Sequence, residues 1–254
     1  MAETPRTYRE WLRSELHSFE VRVGESDLLI GAESARGGLR ALAKEALRAV
    51  RADLEAYLHR DRGFQAALVP YQPHPDAPPI AHEMAEAAGR CGVGPMAAVA
   101  GAVAEHVGRE LLAHTPQVVV ENGGDIFLHT SRPRVAAIYA GASPLSGRLG
   151  LRLSRLDQPL GLCTSSGTVG PSLSFGRADA AIVLATSAAL ADAAATALGN
   201  RARAAADLEP ALEFLGQVEG VLGGVVVIGS HLGAWGEVKL VRLRAQEGES
   251  PTAQ

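Results

Sequence analysis

Three short stretches of this sequence concentrate oxygen donors where packing alone does not call for them. Glu121-Asn122-Gly123-Gly124-Asp125 follows the apolar run Val118-Val119-Val120. Its two glycines let backbone amides approach a ligand closely, and Asp125 can hydrogen-bond that ligand or approach a metal. The same residues also read as a hairpin turn, since Asn-Gly is a strong turn signal. Cys163-Thr164-Ser165-Ser166-Gly167-Thr168 sets hydroxyls side by side between Gly161 and Gly170, with Ser172 and Ser174 beyond. Such a loop presents amides and hydroxyls to an anion such as phosphate, or bonds only to its own backbone. Asp192 and Thr196 stand alone in an alanine- and leucine-rich segment, Ala188 to Leu198. Their i, i+4 spacing puts both oxygens on one helix face. A hard cation such as Mg²⁺ takes such ligands, completed by water or phosphate. The alternative is a Thr196 bonded back to a carbonyl and an Asp192 facing solvent.

Other polar features carry less. Gly92-Val93-Gly94-Pro95 opens a helix whose free amides could take a phosphate, although glycine and proline also serve as punctuation. Cys163 reads as a small buried hydrophobe, with no basic neighbour in sequence to make it a thiolate. The histidines are scattered without metal-motif spacing, and no Gly-x-Ser-x-Gly elbow, Walker loop or dinucleotide fingerprint is present.

The elements that must position these residues are legible from periodicity. Phe19, Val21 and Val23, then Leu28 and Ile30, alternate about Gly24-Glu25-Ser26 as a β-hairpin. Leu39, Leu42, Ala46, Val50 and Leu54 predict a helix from about Ala35 to Arg60. A proline-rich loop, Pro70 to Pro79, contains His74. Helices are expected over Ile80 to Gly89, Pro95 to His114 and Ser187 to Leu198. Strands are expected at Val118 to Val120, Ile126 to Leu128, Val135 to Tyr139, Leu149 to Leu153 and Ala180 to Ala185. Val221 to Ile228 and Glu237 to Leu243 read as a closing antiparallel pair. Strands and helices do not alternate strictly, so the class is α+β rather than a doubly wound parallel sheet.

At 254 residues the chain suits a single domain over residues 1–245, followed by a polar tail, 246–254, expected to be disordered. Only 4% of residues are aromatic against 47% hydrophobic, so the core must be aliphatic. A net charge of -4 without a basic patch argues against a nucleic-acid surface. Two cysteines cannot build a disulfide framework. No apolar stretch is long enough to span a membrane and the N-terminus has no apolar signal region, so a cytoplasmic address is expected. Alanine-rich helices would suit a homo-oligomer interface.

Asn122-Gly123-Gly124-Asp125-Ile126, Thr164-Ser165-Ser166-Gly167 and Ala188 to Leu198, in that order, resemble the ApbE-like superfamily. Its characterised members are Mg²⁺-dependent FAD:protein FMN transferases. The longer segments Gly92 to Gly101 and Cys163 to Gly176 are similar to a sister family of uncharacterised proteins. The resemblance implies a T-fold-type α+β domain with antiparallel sheets packed against helices. It implies Asp192 and Thr196 as metal ligands beside a flavin pyrophosphate. It also places Asn122, Gly123, Gly124, Asp125, Thr164, Ser165, Ser166 and Gly167 around the ligand, FAD or FMN, with Asp125, Thr164 and Ser165 closest to the chemistry. Where the transferases carry a histidine-containing segment, Thr168 to Asp179 has none.

Three functional expectations follow. The first is a metal-assisted enzyme acting on a flavin nucleotide or a related small phosphate-containing molecule. The second is a non-catalytic flavin or nucleotide carrier. The third is sulfur chemistry through Cys163, since the sister family has been associated with homocysteine metabolism.

Overall fold

A computed structural model describes residues 16–33, 38–154, 156–167 and 175–243. The polar tail, Thr168 to Ser174 and the start of the first expected helix lie outside the described residues. In chain order the strands are β1 (His17–Val23), β2 (Ser26–Ala32), β3 (Val118–Asn122), β4 (Asp125–His129), β5 (Arg134–Ala137), β6 (Leu149–Leu153), β7 (Leu160–Ser165), β8 (Ala180–Ala185), β9 (Val221–Ile228), β10 (His231–Gly236) and β11 (Leu240–Arg242). The helices are α1 (Leu39–Arg60), α2 (Arg62–Ala66), α3 (Pro79–Cys91), α4 (Val99–Leu112), α5 (Ala188–Arg201) and α6 (Leu208–Leu215).

An eight-stranded antiparallel sheet runs in the order β1-β2-β3-β4-β7-β8-β9-β10. It consists of two like units, each a strand pair, a set of helices and a second strand pair. In both units the second and third strands lie side by side: β2 on β3, and β8 on β9. The units join where β4 meets β7, with Ile126 opposite Leu162. One face of the sheet carries the helices over a core that includes Leu47, Phe64, Met84, Leu111, Phe127 and Leu198. The other face packs Leu128, Leu162, Ile182 and Val225 against a three-stranded sheet, β11-β6-β5. The α+β class and antiparallel sheets expected from the sequence are both present.

Local chemistry explains the element ends. Leu39, Ala43, Leu47, Val50, Leu54 and Tyr57 make the buried stripe of α1. Pro79 sits in the first turn of α3, and Gly92 ends that helix in the left-handed region at φ 72°. The Ser187 hydroxyl caps α5 by accepting from the Leu190 N–H at 3.1 Å. Asp61 accepts from the Phe64 N–H and from the hydroxyls of Tyr57 and Tyr71, which ties the proline-rich segment back to α1.

Two expectations need correction. Val221–Ile228 pairs with His231–Gly236, not with Glu237 to Leu243. Leu240–Arg242 instead pairs with β6 in the smaller sheet. Cys163, Thr164 and Ser165 belong to strand β7 and pair with Val183, Ile182 and Ala181 of β8, so hydroxyl content misidentified them as loop. The Gly92-Val93-Gly94-Pro95 segment punctuates the chain as expected, Gly92 ending α3 and Pro95 opening the next helical turn. A Cβ on Gly94 would lie 1.8 Å from the Ala67 carbonyl oxygen.

Helix α5 lies over β7 and β8 and against α4, and its alanines are consumed in that contact: Ala188, Ala191, Ala193, Ala194, Ala195 and Ala197 are 0% exposed. The alanine-rich face is therefore spent inside the monomer. The α4–α5 approach is tight enough that a Cβ on Gly101 would lie 2.2 Å from the Ala188 carbonyl oxygen. Gly101→Ala should force the helices apart and destabilise the fold by about 1–3 kcal/mol, read as a lower denaturation midpoint in urea. An unchanged midpoint would show that the contact yields without cost.

Candidate functional site

Strand alternation decides which polar residues can meet. Phe127 faces the helices and Leu128 the smaller sheet, so Asp125 faces the helices too. On β7, Cys163 faces the helices and Leu162 the smaller sheet. Ser165 therefore joins Cys163 and Asp125, while the Thr164 side chain points to the opposite face. Thr164 contributes its backbone N–H to the Asp125 carboxyl instead.

The turn between β3 and β4 consists of Gly123 and Gly124, at φ 68° and 111°. Both positive values suit the two-residue hairpin turn that glycine permits. The turn is pinned from inside: the Gly124 N–H donates to Glu121 Oε1 at 2.9 Å, and Glu121 is 0% exposed. Asn122 Nδ2 donates to the Ala100 carbonyl at 3.1 Å. The Gly167 N–H is bonded to the Ala178 carbonyl at 2.9 Å, and Ser166 sits half-buried in the adjoining turn. Several residues expected to face a ligand thus use their donors to shape the site.

Asp192, half-buried on α5, accepts from the Gly101 N–H through Oδ2 at 2.9 Å and from the Ala100 N–H. Ala100 and Gly101 thereby connect Asn122 on one side to Asp192 on the other. Thr196 follows one helical turn later and is half-buried. Among the described residues its hydroxyl makes no hydrogen bond, so it is not bonded back to a carbonyl.

The electrostatics follow from this burial. Asp125 is 8% exposed, and burial followed by the charge of Asp192 pushes its pKa well above the usual carboxylate range. Burial pushes Asp192 up to about 7, against the opposing pull of the Gly101 and Ala100 amides. Asp125 Oδ1 and Ser165 Oγ are both buried with no hydrogen-bond partner. Unpartnered buried acceptors are rare in folded proteins and ask for an occupant.

A hard cation fits this donor set. Asp125 and Asp192 supply carboxylates, Thr196 and Ser165 supply hydroxyls, and a positive charge would offset the burial that raises both acids and the Asp192 charge that raises Asp125 further. Among the described residues no cluster of three His, Cys, Asp or Glu side chains could hold a metal by itself. The rest of the shell would come from water or substrate oxygens, as Mg²⁺ prefers.

Cys163 is buried among these acids. Its pKa is raised by burial, then by the charges of Asp125 and Asp192, so it stays a thiol. Two acceptors attract that thiol, the Ala188 carbonyl oxygen at 3.4 Å and the Asp125 carboxyl. Cys91, also buried, is pushed up to about 12 by burial. Neither environment suits a nucleophile.

The structure adds Glu105, which sequence reasoning passed over. It is 3% exposed, and its Oε2 accepts from the Ala188 N–H at 2.7 Å and the Ala189 N–H at 3.2 Å, at the start of α5. Its Oε1 pairs with Arg109, one turn further along α4. Its position between Ala104 and His106, inside an apolar helix, was the only signal available. Two cavities, of about 480 Å³ against the smaller sheet and about 400 Å³ between α1 and α4, lie apart from Asp125, Ser165 and Asp192. No single helix among the described residues is long and apolar enough to cross a membrane.

Comparison with known proteins bears on the family and the fold. A family model described as AbpE bacteria matches residues 9–216. The chain is 48% identical over 195 residues to a UPF0280 protein of Methanocella arvoryzae, covering 76% of this chain and 79% of the relative. It is 38% identical over 240 residues to a UPF0280 protein of Methanococcus vannielii, covering 92% and 96%. Among solved structures it resembles the apo flavinyl transferase ApbE of Pseudomonas stutzeri, with TM-score 0.55, 16% identity, and 87% and 94% coverage. It resembles a mutant flavin transferase ApbE of Vibrio cholerae with TM-score 0.57, 13% identity, and 88% and 97% coverage. At such identities these two show a shared fold.

Two measurements test the electrostatic picture. With EDTA present, the folded state keeps a proton on Asp192 that the unfolded chain has released, between the ordinary carboxylate range and about 7. Asp192 should therefore lower stability as pH rises from about 4 to 7, by at most about 1.4 kcal/mol per unit from this one group, and Asp125 and Glu105, also raised, act in the same direction. Asp192→Asn should make that slope shallower, and a slope unchanged by the substitution would contradict the assignment. Cys91 and Cys163 should resist a thiol reagent at pH 8 until the protein is unfolded. Rapid labelling of native protein at Cys163 would reopen sulfur chemistry.

Proposed function

The chain belongs to the AbpE bacteria family, and from that membership we propose a metal-assisted enzyme acting on a flavin nucleotide or a closely related phosphate ester. The observation that carries the reading is the convergence of buried Asp125 and half-buried Asp192, with unpartnered oxygens on Asp125 and Ser165. The names of the structural neighbours, flavinyl and flavin transferases, suggest the substrate class.

In this reading Asp192 and Thr196 would hold Mg²⁺, with the Gly101 and Ala100 amides fixing the Asp192 carboxylate. Bound there, the ion would stabilise negative charge developing on a substrate phosphate. Asp125 Oδ1, which has no partner, would take a proton from an attacking hydroxyl. The Ser165 hydroxyl lies on the same sheet face, where it can donate to a phosphate oxygen. Ser166 and the Gly123-Gly124 turn border the site, and Thr164 orients Asp125 through its N–H. A second reading is a carrier that holds the nucleotide without turning it over. The absence of a histidine from Thr168 to Asp179 favours it.

Native mass spectrometry of purified protein with FAD, in the presence and absence of Mg²⁺, tests the proposal. A Mg²⁺-dependent FAD adduct, lost in Asp192→Asn, is expected. Release of FMN or AMP over time would then support the enzyme, and a stable adduct the carrier. No adduct in either condition would overturn flavin binding.

A further inference from the structure

Glu105 sits on α4 and Asp192 on α5, and each reaches across to the other helix. Glu105 Oε2 accepts from the first two amides of α5, at Ala188 and Ala189. Asp192 Oδ2 accepts from the Gly101 amide near the start of α4. The spacings match: Glu105 lies four residues after Gly101, and Asp192 four residues after Ala188. Each carboxylate therefore binds the free amides of the facing helix, one turn from the residue whose own amide it exchanges. Gly101 makes this possible, because its missing Cβ would meet the Ala188 carbonyl carbon at 2.7 Å and Asp192 Cβ at 2.9 Å.

The two carboxylates differ in access. Glu105 is 3% exposed and its remaining oxygen is held by Arg109, so it has no room for a ligand. Arg109 also approaches Glu83 Oε1 at 3.6 Å, and Glu83 Oε2 pairs with His106 Nε2 at 2.7 Å. This chain of paired charges leads from the surface of α3 and α4 to the start of α5. Asp192 is the half-buried end of the exchange, at the candidate site.

We infer that Glu105 is a positioning residue for Asp192: by capping α5 from α4, it fixes the helix in the register that holds the Asp192 carboxylate on the Gly101 amide. The consequence for ligand binding rests on the metal-site reading proposed above, whereas the positioning itself does not. Truncating Glu105 releases the start of α5, and Asp192, one turn in, loses its defined placement. An outer partner of this kind tunes a ligand it never touches.

The test uses the full chain and two readouts. The first is hydrogen exchange of the Gly101 amide in metal-free protein, which reports the Asp192 bond directly. The second is Mn²⁺ affinity by titration calorimetry, for which losing an outer partner costs roughly 10–100-fold. Glu105→Ala should speed Gly101 exchange by about tenfold or more beyond the change in global stability, and weaken Mn²⁺ in step. Glu105→Gln keeps an oxygen for the Ala188 amide and should retain most of both, which also guards against an alanine variant that fails to fold. Leu215→Ala, a buried truncation on α6, serves as the stability-matched control. If Leu215→Ala changes Gly101 exchange as much as Glu105→Ala, or if neither Glu105 variant changes it, the inference is overturned. If wild-type protein does not bind Mn²⁺ but the exchange result holds, the metal reading fails and the positioning role stands.

Discussion

The organisation of the molecule depends on one exchange of hydrogen bonds between α4 and α5. Glu105 takes the leading amides of α5, and Asp192 takes those near the start of α4. Charge-assisted bonds to otherwise unsatisfied helix amides are among the stronger ones a fold can make, about 1.5–3 kcal/mol each. The exchange joins the two like units of the sheet, because α4 precedes β3 and β4 while α5 follows β8. The β4–β7 pairing joins the same units through backbone ladders. Ladders alone would set the sheet and leave the helices to slide on an aliphatic core. The carboxylates fix their axial position.

Close approach is the condition for that exchange, and small residues supply it. Gly101 on α4, Gly161 on β7 and the alanines of α5 converge on Ala188 and its neighbours. A Cβ on Gly161 would lie 2.4 Å from both Ala188 Cα and the Ser187 carbonyl oxygen. The low aromatic content and high alanine content are therefore geometric requirements of this layer. Larger side chains would separate the helix from the strand that carries Cys163 and Ser165, and with it Asp192 from Asp125.

Much of the fold was legible because its signals are local. The first hairpin, the stripe of α1, the Gly123-Gly124 turn and α5 all declare themselves in adjacent residues. The errors share a cause as well. β7 carries Gly161 and a run of hydroxyls, which look like loop until pairing with β8 supplies the missing order. β10 is interrupted by Gly233, and its exposed pattern hides it beside the apolar β9. Segment Leu240–Arg242 was legible as a strand, but its partner, β6, lies some ninety residues earlier, beyond any local signal. The candidate site divided in the same way. Asp125, Asp192 and Ser165 came together as their neighbourhoods suggested. Period-2 alternation carried the Thr164 side chain to the other face, and Glu105 was invisible because its partners are amides eighty residues away.

The acids at the site favour one chemistry over another. Two carboxylates raised by burial, one of them further by the charge of the other, are costly to a fold unless something positive completes them. The same field that would welcome a cation keeps the Cys163 thiol protonated, since burial and both acids oppose a thiolate. A site that favours Mg²⁺ by this means cannot at the same time activate that sulfur. The Gly101 and Ala100 amides offset part of the cost at Asp192, but nothing among the described residues offsets it at Asp125 Oδ1. In the proposed reading that difference would divide the roles: the Asp192 carboxylate, held by the α4 amides, would bind, and the Asp125 oxygen without a partner would exchange a proton.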